Sequence, residues 1–492
     1  MSMSLGEQLK RRKPIVFRQH HHEGEELARN LTTFQLMMFG VGATVGTGIF
    51  FVLSESVPEA GPAVIVSFLI AGLAAGLSAL CYAELASAIP VSGSTYSYAY
   101  HAMGELVAVI IAGCVLLEYG VATAAVAVGW SGYFNELLDS TIGVQIPQAL
   151  STSFIAGPGE DPTGGLLNLP AVVLVFMCMF LLLRGATESA RINSIMVIIK
   201  LGVLVLFVVI GLTAWNGSHF DNFFGAGIAG VTAAAGTIFF SFIGLDAVAT
   251  AGEEVKDPQR SLPRAIIGAL IIVTTVYVLV ALAGIAAKEA GWFETEEAQS
   301  AGLSQILNDI TGTSIWGTVL AAGAVISIFS VTLVTLYGQT RILFAIGRDG
   351  LISRKFTKVD AKTMAPNFNT IVVAIVVALI AGFVPSDYLW DTVSIGTLVA
   401  FSVVALGVLV LRRTHADLER PFRIPGYPVT PLLTIAACVW ILIGLPMTTW
   451  VIFLAWLAIV MAFYLAYGRR NATLNTYVDP EEIAEPRGEE DQ

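Results

Sequence analysis

Apolar residues along the chain run on in uninterrupted stretches of roughly 20, with no alternation of the kind that builds strands. A bilayer core about 30 Å thick asks for about that many apolar residues per helix. Twelve stretches qualify, at about 33–54, 62–89, 105–135, 167–183, 192–214, 229–252, 264–287, 315–346, 370–384, 391–411, 430–446 and 449–467, and they are spans 1 to 12 below. The third and eighth are long enough to tilt or to protrude. No connection is long enough for a soluble domain. The expectation is an all-α polytopic membrane protein flanked by an N-terminal tail, 1–32, and an acidic tail, 469–492, whose end reads as disordered.

Composition agrees. The 492 residues are 55% hydrophobic and 13% charged, against about 25% charged in soluble domains. A formal charge of −11 argues against nucleic acid as a partner, because phosphate contacts need clustered cations. Cys81, Cys114, Cys178 and Cys438 all lie in apolar stretches and read as buried free thiols, with no metal-ligand spacing. The His20–His22 run reads as a solvated tail feature, and no cofactor or metal is expected. The polar first 30 residues lead into a full-length span, so no cleavable signal is expected.

Charge segregation sets the orientation. With the N-terminus cytoplasmic, 24 of the 26 Lys and Arg fall on the inner side, Lys288 falls outside and Lys200 lies within span 5. A helix count wrong by one would scramble that separation. Twelve spans with both termini in the cytoplasm, in the cell membrane, is therefore the predicted topology. The outer loops are acidic, which reads as residual acidity or as a field that concentrates cationic solutes.

Two spans break their own rules. Span 1 carries Gly40, Gly42, Gly46 and Gly48 within nine residues, each costing about 1 kcal/mol relative to alanine in a helix. Unwinding in mid-membrane is tolerated where backbone lines a cavity or is buried in protein; close packing through Gly42 and Gly46 is the alternative. Span 6 carries Ser241, Gly244 and Asp246. Asp246 is expensive there unless it faces protein or water, and it is placed to cap a second half-helix. Interruptions in spans 1 and 6 predict two five-helix repeats, 33–214 and 229–411, with 412–468 as two added helices. Five spans per unit force the second copy to be inverted. Paired breaks of this kind point to a transporter's substrate site.

Two more ionisable groups lie deep. Lys200 has only apolar neighbours in sequence; at its depth snorkelling is strained, which makes it a candidate proton carrier. Glu118 in span 3 is the matching acid, suited to neutralising a buried cation, to a proton relay or to a substrate amine.

These residues carry a family resemblance. Gly46-Thr47-Gly48-Ile49-Phe50 and Phe242-Ile243-Gly244-Leu245-Asp246 resemble the amino acid–polyamine–organocation superfamily. Cys81–Leu85 through Gly93–Tyr96, Leu117–Tyr119, Gly129–Phe134, Glu253–Arg260, Tyr337–Arg341 and Pro421–Gly426 are similar to its cationic amino acid transporter family, of the compact bacterial type. The resemblance covers about residues 30–470. It implies a LeuT-type fold of 5+5 inverted repeats. It further implies that Val45, Gly46, Thr47 and Gly48 bind the carboxylate of an L-amino acid, while carbonyls of Phe240, Ser241, Phe242 and Ile243 accept from its ammonium. Phe240 is then the aromatic gate, with Phe239 and Phe242 as competing assignments. Lys200 matches a lysine that replaces a sodium ion in proton-coupled relatives.

The expected function is proton-coupled uptake of L-amino acids by alternating access, with Lys200, Glu118 and Asp246 in coupling or gating. The apolar Ile328–Phe329 stretch supplies no acid for a cationic side chain, which keeps neutral substrates open. An exchanger, a polyamine carrier and a non-transporting sensor are the rival readings. No HExxH or GxSxG motif is present, so an enzyme is not expected. Accessory subunits leave no mark on the sequence.

Overall fold

The computed structural model describes residues 5–15, 27–46, 48–155, 164–443, 445 and 447–475. Helices occupy all twelve expected positions. Eight described stretches are long and apolar enough to cross a membrane, and Leu169–Leu182, Asn367–Phe383 and Val429–Ile443 are shorter apolar helices. Among the described residues there is no β-strand, only an isolated parallel bridge between Leu31 and Val255. Thr47, His20–His22 and the tail beyond Asn475 lie outside the described residues.

Local sequence explains the helix ends. Span 1 opens at Thr32, whose hydroxyl accepts from the Gln35 N–H while the Gln35 side chain accepts from the Thr32 N–H, a reciprocal cap that satisfies two orphan donors. Asn168 caps span 4 by accepting from Ala171 N–H at 3.2 Å, with Pro170 in the first turn. Span 3 runs to Ile142 and ends on Gly143 at φ +67°.

Some boundaries differ from the hydropathy reading. Span 5 begins at Ala186 and span 7 at Pro258, because their first turns are polar and leave the hydrocarbon. Lys200 consequently sits midway along the 28-residue helix Ala186–Thr213, deeper than its distance from residue 192 suggests. Two helices absent from the hydropathy pattern, Ser94–Ala102 and Glu296–Thr311, fill the connections after spans 2 and 7. They are too short and too polar to register as spans. All four cysteines are buried and free.

The end of the bundle that holds both termini is tied by ion pairs. Arg341 lies inside the helix Ile315–Arg348, not in a loop, and pairs with Glu254 at 2.6 Å, with side chains 1% and 0% exposed. Arg348 grips Glu253 with two donors, at 2.8 and 2.5 Å. Arg412 does the same to Glu84, at 2.7 and 2.6 Å. The N-terminal segment joins this lattice: Arg11 pairs with Glu105 at 2.5 Å and Lys13 with Asp349 at 2.6 Å. Tyr464 also donates to Glu105, and Tyr96 donates to Asp349.

His101, 2% exposed, lies under this segment with Nδ1 2.9 Å from the Lys13 carbonyl. Burial and then the Lys13 charge hold its imidazole down at about 3. The neutral ring thus stabilises the docked segment at pH above its ordinary 6.5, and that contribution is lost as pH falls toward 3. A fluorescent label on Gly6→Cys, where a side chain meets nothing within 4 Å, is expected to lose anisotropy between pH 7 and pH 5. His101→Asn should suppress the change. Glu253 stays charged throughout: burial raises its carboxyl, but the facing Arg348 guanidinium outweighs this and holds it at about 2.

Candidate functional site

Both breaks are present, and they touch. Span 1 is wound as Thr33–Thr44 and again as Gly48–Ala60. Span 6 is wound as Gly227–Phe239, tightens through Phe240–Phe242 and resumes at Ala247–Thr250. Gly244 has φ +110°, and a Cβ there would stand 2.9 Å from both the carbonyl carbon and the oxygen of Ala43. A Cβ on Gly48 would stand 2.6 Å from Ser241 Oγ. Backbone blocks the first site, and L side chains are strained in that region. Gly244→Ala is expected to cost about 1–3 kcal/mol, read as a lower thermal unfolding midpoint in detergent.

Between the breaks lies a cavity of about 620 Å³, within the range of small-molecule sites. Gly46, Gly48, Phe240, Ser241, Ile243, Glu118 and Asp246 all line it. It extends to Glu55, Tyr133 and Leu445, toward the end opposite the termini. Its remaining wall includes Val52, Ala122, Val126, Val331 and Val393. Of the three phenylalanines in the second break, Phe240 lines the cavity and is 38% exposed; Phe239 and Phe242 are buried outside the lining, at 3% and 2%.

Three residues singled out by sequence stand outside the lining. Val45 is fully buried; its N–H donates to Val41 O, and its carbonyl accepts from Lys200 at 2.6 Å and Ser327 at 2.9 Å. Phe242 packs edge-on against Tyr277, centroids 5.2 Å apart. Lys200 is behind the first break, donating to the carbonyls of Gly42 at 2.9 Å and Val45 and reaching Ser330 Oγ at 3.5 Å. It thus places its amino group at the C-terminal end of a half-helix, where the helix dipole favours a donor or a positive charge. Ser330 also donates to Asn193, whose amide donates to Met38 O.

The acids behave differently. Asp246 stands at the start of the second half of span 6 but makes no side-chain cap; its Oδ2 accepts from Tyr119 at 2.6 Å. Asp246 Oδ1 and Glu118 Oε2 are buried without a hydrogen-bond partner, and Glu118 forms no ion pair among the described residues. Two unsatisfied carboxylate oxygens on residues that line one cavity call for a donor or for a proton. Of the carbonyls in the second break, Phe240 O accepts from Ile243 N–H and Ser241 O from Tyr277. Tyr119, Asn193, Tyr277, Ser327 and Ser330 were not singled out from sequence. Each is a polar side chain in an apolar span, and that is the signal that marks them.

Known proteins place this architecture. The family model for amino acid permeases matches residues 31–474. The chain is 38% identical over 466 residues to the methylthioribose transporter of Bacillus subtilis, covering 94% of this chain and 99% of that one. It is 40% identical over 457 residues to the branched-chain amino acid permease BcaP of the same organism, covering 92% and 95%. The vacuolar cationic amino acid transporter 2 of Arabidopsis thaliana is 36% identical over 421 residues, covering 84% of this chain and 64% of that longer protein. An all-α bundle of apolar spans, two opposed helix breaks and these matches lead to one conclusion: the chain belongs to the amino acid permease family of the amino acid–polyamine–organocation superfamily, a multi-pass membrane transporter family and not an enzyme family.

Proposed function

We propose that the protein takes up L-α-amino acids together with protons across the cell membrane by alternating access. The observation that carries this reading is the cavity between the two broken helices, whose lining includes Glu118 and Asp246, each with a buried carboxylate oxygen that has no hydrogen-bond partner. The substrate carboxylate meets free N–H groups at the start of Gly48–Ala60, since a helix N-terminus attracts an anion. The ammonium lies toward the second break and Asp246. The apolar wall of Val126, Val331 and Val393 receives the side chain, favouring neutral branched substrates over cationic ones. Spans 1–5 and 6–10 act as inverted repeats with both termini cytoplasmic. With that orientation the cavity opens outward, and Arg341–Glu254 and Arg348–Glu253 seal the inner end.

Proteoliposomes holding the full chain test it: an imposed inward pH gradient is expected to drive accumulation of L-leucine into vesicles that hold no internal substrate. A requirement for internal amino acid points instead to exchange. Gradient-independent uptake refutes proton coupling. A second reading is uptake of a neutral thiosugar: a 38% identical relative is a methylthioribose transporter, and sugar hydroxyls would supply donors to Glu118 and Asp246. Competition of L-leucine uptake by methylthioribose and by each standard amino acid, at two pH values, separates the readings.

A further inference from the structure

Tyr277 lies within span 7, fully buried, outside the cavity lining. Its hydroxyl is 3.0 Å from the carbonyl oxygen of Thr44 and 3.0 Å from that of Ser241. The first closes the first half of span 1, where the helix leaves carbonyls without intrahelical partners. The second belongs to the tightened turn of span 6. One phenolic hydrogen is therefore shared between main-chain acceptors from the two separate breaks. The ring has little freedom to turn away, because Phe68 and Phe242 brace it edge-on with centroids 6.2 and 5.2 Å distant.

We infer that Tyr277 is a positioning residue that holds the two breaks in mutual register, and so sets the distance across the amino acid site between them. For its effect on transport this inference rests on the function proposed above. Lys200, Asn193 and Ser327 work differently: they come from spans 5 and 8, and the main-chain acceptors they hold all belong to span 1, with Ser330 bonded to Asn193 behind them. The tyrosine bridge instead ties span 7 to spans 1 and 6 at once. Removing the hydroxyl leaves the carbonyls of Thr44 and Ser241 without that donor.

The test is amide hydrogen exchange on the full chain in nanodiscs, without substrate, read in peptides covering residues 44–50 and 241–247. Tyr277→Phe is expected to raise exchange in both segments by roughly ten-fold, the ratio for about one net hydrogen bond. Lys200→Met is expected to raise it in the first segment alone. Phe68→Leu, which loosens the brace and keeps the hydroxyl, should give the two-segment signature at lower amplitude, and it serves if Tyr277→Phe does not fold. In uptake assays with L-leucine and L-arginine, Tyr277→Phe should raise KM by roughly ten-fold with Vmax and pH profile kept. Exchange that rises in one segment only, or equally throughout the protein, overturns the inference, as does unchanged exchange with unchanged KM. Wild-type protein that transports neither amino acid refutes the substrate reading, while the exchange signature still decides the role of Tyr277.

Discussion

Arg341→Met is expected to destabilise the protein by about 3–5 kcal/mol, the usual cost of removing one partner from a buried ion pair. The guanidinium Nε donates to Glu254 Oε1 at 2.6 Å, Nη2 to Oε2 at 3.3 Å and Nη1 to Thr340 at 2.8 Å, and it lies 3.9 Å from the Tyr337 ring centroid. Methionine preserves much of the stem's packing but strands a carboxylate that is 0% exposed. The penalty is therefore mainly that of an uncompensated charge. Arg341→Met combined with Glu254→Leu should recover most of the loss, because replacing both partners of a buried pair with apolar groups is often near neutral. Thermal unfolding in detergent reads both results. A double variant as unstable as the sum of the single ones would show that the pair contributes packing, not charge compensation.

Lys200→Met is expected to abolish accumulation driven by a pH gradient, lowering it at least ~100-fold, in line with the loss of two charge-assisted hydrogen bonds. The ammonium holds the carbonyls of Gly42 and Val45 at the first break, so its charge is coupled directly to how span 1 is seated against spans 5 and 8. Methionine has the length without the charge or the donors. Counterflow, which needs no net proton movement, should survive better than accumulation. Equal loss of both would make Lys200 a structural anchor only. Retained, pH-dependent accumulation would remove it from the coupling step altogether.

The spans and their breaks were legible because both are properties of sequence alone. Apolar length gives the helices, and Gly40–Gly48 and Ser241–Asp246 are stretches that cannot stay wound without cost. Of the residues that line the cavity, Asp246 and Glu118 stood out as ionisable groups in apolar spans, while Gly46, Gly48, Phe240, Ser241 and Ile243 were assigned through the family resemblance. Val45 and Phe242 lie in the broken segments but outside the cavity lining, because rotation about a helix axis is not fixed where the helical period is interrupted. Lys200 had no partner in its own sequence because its partners are main-chain carbonyls of span 1, and no residue type advertises a carbonyl. Tyr277 was passed over for the same reason: its acceptors are backbone, not side chains.

Glu105 and Asp349 are buried acids whose cations come from Arg11 and Lys13, so residues 5–15 act as a counter-ion strap. Trimming that segment would strip the counter-charges from the acids at the termini-side ends of spans 3 and 8, so a purification handle that replaces it is better placed elsewhere.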